Sequence, residues 1–365
     1  MESFAVKLVI SLLILMIIEF IIYRLFVFRN LNYSRELSEN AVFEGEEVFL
    51  YEKIENKKIL PIGWLSADIG LSENLEILPR PGIYVRYNKY CRSVFSLLPY
   101  TSVTRKNIIR CKKRGEYSLN TVSITTSDLL GLSGEMSKQY SIDAPLVVYP
   151  VPADKSMINL PSHNWMGDLI VRRFIMEDPF FIAGTRPYQY GDPLNRISWK
   201  ATARTDSLQT YKYDHSTHSD LLIWFNAEVD PLSQMSSDDV SQKIIDFGIS
   251  CCATFAETAI DNGVRVGFDS NAFSSKGGNI NCIEPLNGTA QFYTILTEIA
   301  RVEYGFYHSF YRFIEDKLKD GVTGKDILLV SAFMDERLLQ QAQLLREKGN
   351  FVEIFNIGLE HFYKK

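Results

Sequence analysis

The first strong pattern is a run of about twenty residues, FAVKLVISLLILMIIEFIIY from Phe4 to Tyr23, apolar on every side apart from Lys7, Ser11 and Glu19. As a helix this run matches the ~20 residues that cross ~30 Å of hydrocarbon. Its fourteen Leu, Ile, Val and Phe residues contribute roughly -6 kcal/mol to insertion, against about +2.5 to +3.5 for one central charge. Lys7 and Glu19 lie near the ends, where snorkelling lowers that cost. The pattern predicts a membrane helix over residues 4–23. A cleaved signal peptide and a buried helix are the alternatives, and no Ala-x-Ala-like cleavage site follows.

From Asn32 to about Pro150 the chain changes to short β-rich runs: VFLYEKI, LPIGWLSADI, GIYVRYNKY, SVFSLLPYTSV, NIIRC and GEYSLNTVSITTSDLLGL. Turn residues such as EGEE and KKRGE separate them, and Leu119, Val122 and Ile124 alternate imperfectly with polar neighbours. Strands at this spacing predict an antiparallel β-sandwich-like domain. The prolines of APLVVYPVPADKS then close the β region and open an irregular connector reaching about residue 180.

Beyond the connector, strands and helices alternate. DLLIWFN is continuously apolar, as a buried parallel strand requires. From Val240 to Asn262, Ile244, Phe247, Cys251, Phe255 and Ala259 fall on one helical face, and Asn262-Gly263 stops the helix. VRVGFDS (strand), TAQFYTILTEIARVEY and FYRFIEDKLKDG (helices), DILLVSAF (strand), DERLLQQAQLLREKG (helix) and FVEIFNIG (strand) follow. The fold class is α+β multidomain, ending in a doubly wound α/β domain. The division is 1–29 (transmembrane anchor), 30–150 (β-sandwich-like domain) and 151–365 (connector plus α/β domain).

Charge and cysteine content refine this picture. Over 365 residues the net charge is -5 with pI near 5.7, which argues against a nucleic-acid partner. Arg24, Arg29 and Arg35 follow the apolar run, whereas Lys7 lies at its start. The positive-inside rule therefore predicts a single-pass cell-membrane protein with cytoplasmic soluble domains, and a signal anchor of the opposite sense stays open. Cys91, Cys111, Cys251, Cys252 and Cys282 are odd in number without CxxC spacing, which suits a reducing compartment.

The densest candidate chemistry is RPYQYGDPLNRISWKATAR, Arg186 to Arg204. Asp192-Pro193 predicts a helix start, with the carboxylate capping free amides, and a short helix to about Arg204. On it Leu194, Ile197 and Ala201 form an apolar face, and Arg196, Lys200 and Arg204 a basic stripe that needs something negative opposite. Trp199 is expected in the core. For Arg186, Asp192, Arg196, Lys200 and Arg204 three readings stay open, in order of preference: an internal network, a partner-binding surface, and catalysis.

The string Arg186, Tyr188, Gly191, Asp192, Arg196, Ile197, Trp199, Ala203, Arg204 resembles the signature of the domain of unknown function 58 family: R-x-Y-x-x-G-D, R-x-I-x-W, A-R. The apolar N-terminus and the β-rich region before an α/β region also look like that family. The resemblance implies a bacterial membrane-associated protein whose α/β part is similar to a von Willebrand factor A domain. It further implies possible protein partners, a MoxR-type AAA+ ATPase and a transglutaminase-like protein, and no established reaction. Von Willebrand A domains hold Mg²⁺ through D-x-S-x-S after the first strand. Here Asn226, Glu228 and Asp230 occupy those positions, and Ser331 and Ala332 stand where a later aspartate is expected, so a degenerate site and no cofactor are predicted.

Remaining motifs read as structural. DHSTHSD places His215 and His218 in a connector between strands, with no third metal ligand. SSKGGN lacks the phosphate-loop pattern and predicts a hairpin turn, and Asp238 and Asp239 sit at a helix start, where they suit the dipole. The function expected is a non-enzymatic protein-binding and assembly adaptor. The alternative is a hydrolase that uses Asp192 and the surrounding arginines on an anionic substrate.

Overall fold

The computed structural model describes residues 2–78, 83–86, 90–128, 131, 134–155, 158, 182–213, 220–229 and 238–357. Asp214, His215, His218 and Asp230, together with residues 159–181 of the connector, lie outside them. The chain divides into two compact units, Met1–Pro150 and Val151–Lys365.

In the first unit, helix α1 spans Glu2–Phe26. Its segment Val6–Phe26 is long and apolar enough to cross a membrane, with mean hydropathy 2.5. The far end of α1 is held by the β structure: Tyr23 and Val27 are buried in its core, and the Tyr23 hydroxyl donates to the Pro61 carbonyl at 2.7 Å.

One sheet runs in the order β1 (Leu31–Leu37), β3 (Glu47–Asn56), β8 (Ser102–Cys111), β5 (Leu75–Ile77). A second runs β11 (Met136–Ser141), β10 (Thr121–Thr126), β4 (Ile62–Gly70), β7 (Tyr90–Leu97), β6 (Ile83–Arg86). Leu50 and Ile54 from the first sheet share one core with Leu65, Ile69, Phe95 and Val122 from the second. A small third sheet, β2 (Ala41–Phe43), β12 (Pro145–Tyr149), β9 (Gly115–Ser118), contains a parallel pair, β2 with β12, so the unit is not antiparallel throughout. The run SVFSLLPYTSV is two strands, β7 and β8, because the chain turns at Leu98–Thr101, where Tyr100 takes φ 55° and Thr101 Oγ1 donates to the Leu98 carbonyl.

The second unit opens with a hairpin of β13 (Ile182–Pro187) and β14 (Gln209–Tyr213), joined through the short helix α2 (Trp199–Thr205). Next come β15 (Asp220–Asn226), α3 (Asp238–Asp261), β16 (Arg265–Ser270), β17 (Ala272–Ser274) and β18 (Ile283–Leu286). The chain continues through α4 (Thr289–Ala300), β19 (Val302–Phe306), α5 (Phe310–Lys319), β20 (Asp326–Ser331), α6 (Glu336–Glu347) and β21 (Phe351–Asn356).

The main sheet has the order β18-β16-β15-β20-β21, parallel except for the edge strand β18. Alternate strand residues serve opposite faces. Leu221, Ile223, Phe225, Leu328 and Val330 pack with α3 and α4, whereas Trp224, Ile327 and Leu329 pack with α5 and α6. Every core position expected on α3 is buried or half-buried. The helix expected to run to Tyr304 ends at Ala300 instead; Val302 is buried and the chain becomes β19, paired with β17. SSKGGN does form a turn, with Gly277 and Gly278 at φ 86° and 81°.

Candidate functional site

The signature residues fold into a self-closing corner between β13 and α2. Arg186, at the end of β13, grips Asp192 with two bonds, Nη1 to Oδ2 at 2.7 Å and Nη2 to Oδ1 at 2.8 Å. Asp192 Oδ2 also accepts the Gln189 N–H at 2.9 Å, and the Tyr188 hydroxyl donates to the Asp192 carbonyl at 3.2 Å. Gly191 takes φ 106°, a region that side chains with a Cβ rarely adopt. The Arg186 guanidinium, the Gln189 N–H and the charge of Arg196 hold the Asp192 carboxyl below the usual range. Both of its oxygens are occupied.

This geometry corrects several expectations. No single helix runs from Pro193 to Arg204: Leu194–Arg196 is one 3₁₀ turn, Ile197 is extended, and α2 begins at Trp199. Asp192 does not cap it, because its carboxylate is turned back onto Arg186 and Gln189. The break has a cause, since Ile197 forms a bridge with Thr210 and the Ser198 N–H donates to the Gln209 carbonyl at 2.8 Å, lacing this segment to β14. Arg196 therefore does not continue the stripe of Lys200 and Arg204, and its carbonyl accepts the Thr210 hydroxyl at 3.0 Å. Leu194 is 71% exposed, and Trp199, expected in the core, is 69% exposed.

The signature thus separates into two sets. Arg186, Tyr188, Gly191, Asp192 and Ile197 build the corner. Trp199, Lys200, Ala203 and Arg204 share the exposed side of α2, and Tyr190 and Leu194 are exposed on the loop before it. Two aromatics, one aliphatic and two cations of this short motif are thus exposed.

Ligands of open α/β sheets meet at the strands' carboxyl ends, where the strand order reverses. Here that point lies between β15 and β20. It is closed: Asn226 Nδ2 donates to Ser331 Oγ at 2.9 Å, and Ser331 Oγ donates to the Phe333 carbonyl at 2.6 Å. Asn271 continues the network, its Oδ1 accepting the Ala227 N–H at 2.8 Å and its Nδ2 reaching Asn226 Oδ1 at 3.3 Å and the His308 carbonyl at 3.0 Å. Glu228 turns aside to accept the Phe310 N–H at 3.0 Å. Burial pushes the Glu228 carboxyl up, with that N–H opposing and Asp335 adding to the rise. A divalent cation needs converging free oxygens, several anionic, whereas Asn226, Asn271 and Ser331 spend theirs on one another. Among the described residues Asn226, Glu228, Asn271 and Ser331 therefore offer no converging set of free anionic oxygens for Mg²⁺, and Asp230 lies outside them.

Two further polar clusters carry no motif and went unread in the sequence. Lys317 of α5 pairs with Asp269 at the end of β16 at 2.5 Å, beside Cys282 and a cleft of about 330 Å³. In the β unit, fully buried Glu52 accepts from Tyr33 Oη (2.6 Å), Ser93 Oγ (2.9 Å) and Asn107 Nδ2 (2.6 Å), and buried Arg35 donates to Tyr33 Oη. The β unit's signal was present: Arg35 and Glu52 stand in phase with the inward residues of β1 and β3.

An uncharacterized protein of Bacillus subtilis (strain 168), YeaD, is 23% identical over 321 residues, covering 88% of this chain and 75% of that protein. Among solved structures, native alpha-2-macroglobulin from Escherichia coli matches at 12% identity and a TM-score of 0.27, over 33% of this chain and about a quarter (24%) of that one. A non-cellulosomal cohesin from Archaeoglobus fulgidus matches at 14% identity and 0.21, over 32% of this chain and 91% of its own. At such TM-scores neither structure carries an argument about fold or function. The segment with the corner, α2 and the closed sheet, residues 184–356, matches the family model described as "Protein of unknown function DUF58".

Proposed function

We propose that this protein is a membrane-anchored, non-enzymatic adaptor that docks protein partners through the exposed half of its signature. The observation that carries this reading is Trp199, 69% exposed on α2 with Lys200 and Arg204 on the same side. An exposed tryptophan beside an arginine is the composition that protein-interface hot spots favour. The occupant this chemistry selects is a protein surface with an apolar pocket rimmed by carboxylates, and a MoxR-type AAA+ ATPase is the partner the family resemblance implies. Helix α1 is the anchor. Arg24 in its last turn and Arg29 just beyond it favour a cytoplasmic placement of the rest. The α/β unit reads as a von Willebrand A-like domain with a lost metal site, a reading supported by its parallel order and by helices on both sheet faces.

Chemistry at Asp192 is disfavoured by its geometry, because a bidentate arginine and a backbone N–H already take three of the carboxylate's roughly four lone-pair sites and hold it in its ionised form. The test is affinity capture of the full chain from its native membranes, with Trp199→Ala and Lys200→Glu as separate variants. Each is expected to lose an AAA+ ATPase; a docking aromatic contributes about 2 kcal/mol or more, roughly 30-fold in affinity. Undiminished capture by both variants overturns the docking surface, and substrate turnover abolished by Asp192→Asn overturns the non-enzymatic reading.

A further inference from the structure

The β unit carries a second feature at the base of α1. The loop of residues 57–61 is fixed against the helix, since Tyr23 Oη donates to the Pro61 carbonyl and the Lys57 N–H donates to the Asn30 carbonyl at 2.9 Å. The turn at Leu98–Thr101 is tied to this loop. Buried Asn56 donates through Nδ2 to the carbonyls of Leu60 (2.9 Å) and Leu98 (3.0 Å), and the Tyr100 N–H reaches the Lys58 carbonyl at 3.3 Å.

On this rim the side chains face the wrong way for a soluble protein. Ile59 is 77% exposed, Leu98 68% and Tyr100 72%. Beyond α1, the exposed large hydrophobics among the described residues of this unit are Ile59, Tyr84, Leu98 and Tyr100, so three of the four gather at the one place where the apolar helix enters the β structure.

Depth decides what covers them. The apolar segment Val6–Phe26 has 21 residues, about 31 Å at 1.5 Å each, so a span centred in a ~30 Å core leaves Phe26 at the hydrocarbon boundary. Tyr23 lies three residues earlier, roughly 4.5 Å inside it. A loop hydrogen-bonded to Tyr23 must then sit at the level of the headgroups or below.

We infer that residues 57–61 and 98–101 form a membrane-embedded foot, with Ile59, Leu98 and Tyr100 seated in the headgroup and acyl boundary beside α1. This rests on the reading of α1 as a span. Tyrosine suits that zone because its ring is apolar and its hydroxyl wet, and apolar side chains from a peripheral element typically enter by ~5–10 Å. The Lys58 amine is shielded from solvent and makes no hydrogen bond among the described residues, and burial pulls its pKa down to about 8. A lipid phosphate would give it an acceptor. The foot adds a second attachment that fixes the tilt of the β unit on the membrane, which a single flexible helix does not.

The test uses the full chain with Cys282→Ser, the other four cysteines being buried. In phosphatidylcholine vesicles, an environment-sensitive fluorophore is attached in turn at Ile14→Cys, Ile59→Cys, Leu98→Cys and Lys113→Cys, and quenched by doxyl-labelled lipids. Lys113 follows the far end of β8, about 30 Å from Tyr100 along a ten-residue strand. Expected is quenching by deep labels at position 14, quenching by shallow labels at 59 and 98, and none at 113. No quenching at 14 overturns the span and the foot with it. Quenching at 14 with water-like emission at 59 and 98 overturns the foot alone. A signal at 59 and 98 that appears only when a second protein is added assigns the rim to that protein and also overturns the inference.

Discussion

Glu52 is the most consequential polar residue of the β unit, and the structure fixes what its loss should cost. Its two oxygens take three donors, and Tyr33, one of those donors, has its lone pairs engaged by Arg35 Nε at 3.2 Å and Nη2 at 3.0 Å. In Glu52→Gln an amide N–H₂ replaces one oxygen. Pointed at Tyr33 it meets a hydroxyl with no lone pair left; pointed at Asn107 it faces another N–H₂. Asn107 can flip, but its Oδ1, which has no partner here, is then exchanged for an unpaired buried amide. Either way one buried donor is stranded, at about 1–3 kcal/mol. Glu52→Ala removes every acceptor and leaves Arg35 without its nearby carboxylate, about 3–5 kcal/mol. Hydrogen exchange of the β3 and β8 amides in the detergent-solubilised full chain reads this unit's opening alone. Exchange should accelerate by more than 100-fold in Glu52→Ala, since 1.4 kcal/mol is about tenfold, and by an intermediate factor in Glu52→Gln. Protection within threefold of the parent for Glu52→Ala would refute the network.

Two other outcomes follow from the α/β unit. A Cβ at Gly267 would lie 2.6 Å from the Ile283 carbonyl and 3.0 Å from Leu222, so Gly267→Ala must displace edge strand β18; the expected loss is about 1–3 kcal/mol by chemical unfolding, and a neutral result would show that β18 is not seated as described. Burial raises the Glu228 carboxyl, so the folded state binds its proton more readily than the unfolded one, and stability is lost as pH rises through the raised value. Glu228→Gln should remove that fall while keeping an acceptor for Phe310, and an equal drop in unfolding free energy from acid to alkaline pH in both proteins would contradict it.

Much of the order of elements was legible because hydrophobic period carries it: DLLIWFN, the α3 face and the VFLYEKI and LPIGWLSADI runs correspond to β15, α3, β3 and β4. What failed, failed where hydrogen bonds override period. Leu194, Ile197 and Ala201 have helical spacing, yet the Ile197 bridge to Thr210 and the Ser198 bond to Gln209 pull the middle of that segment into a strand partnership. Trp199 was misplaced for the same reason, since a helix restarted after Ile197 turns its first residue outward. Arg35 was read only for its charge after the apolar run, and Glu52 was not singled out. Their phase, in step with Tyr33 and Leu50, marks them as inward-facing, so period two was informative about charged positions as well as apolar ones.

Parallel sheets usually leave a crevice where strand order reverses, and a metal or ligand there satisfies the strand-end polar groups. Here Asn226, Asn271 and Ser331 are bonded to one another and to the backbone of Ala227 and Phe333. On the hairpin before the sheet, an ion pair inside the corner keeps α2 in position and leaves Trp199, Lys200 and Arg204 facing outward. A carboxylate locked by Arg186 is well suited to holding a rigid corner, and under the docking proposed above a pre-organised surface loses less entropy when a partner binds.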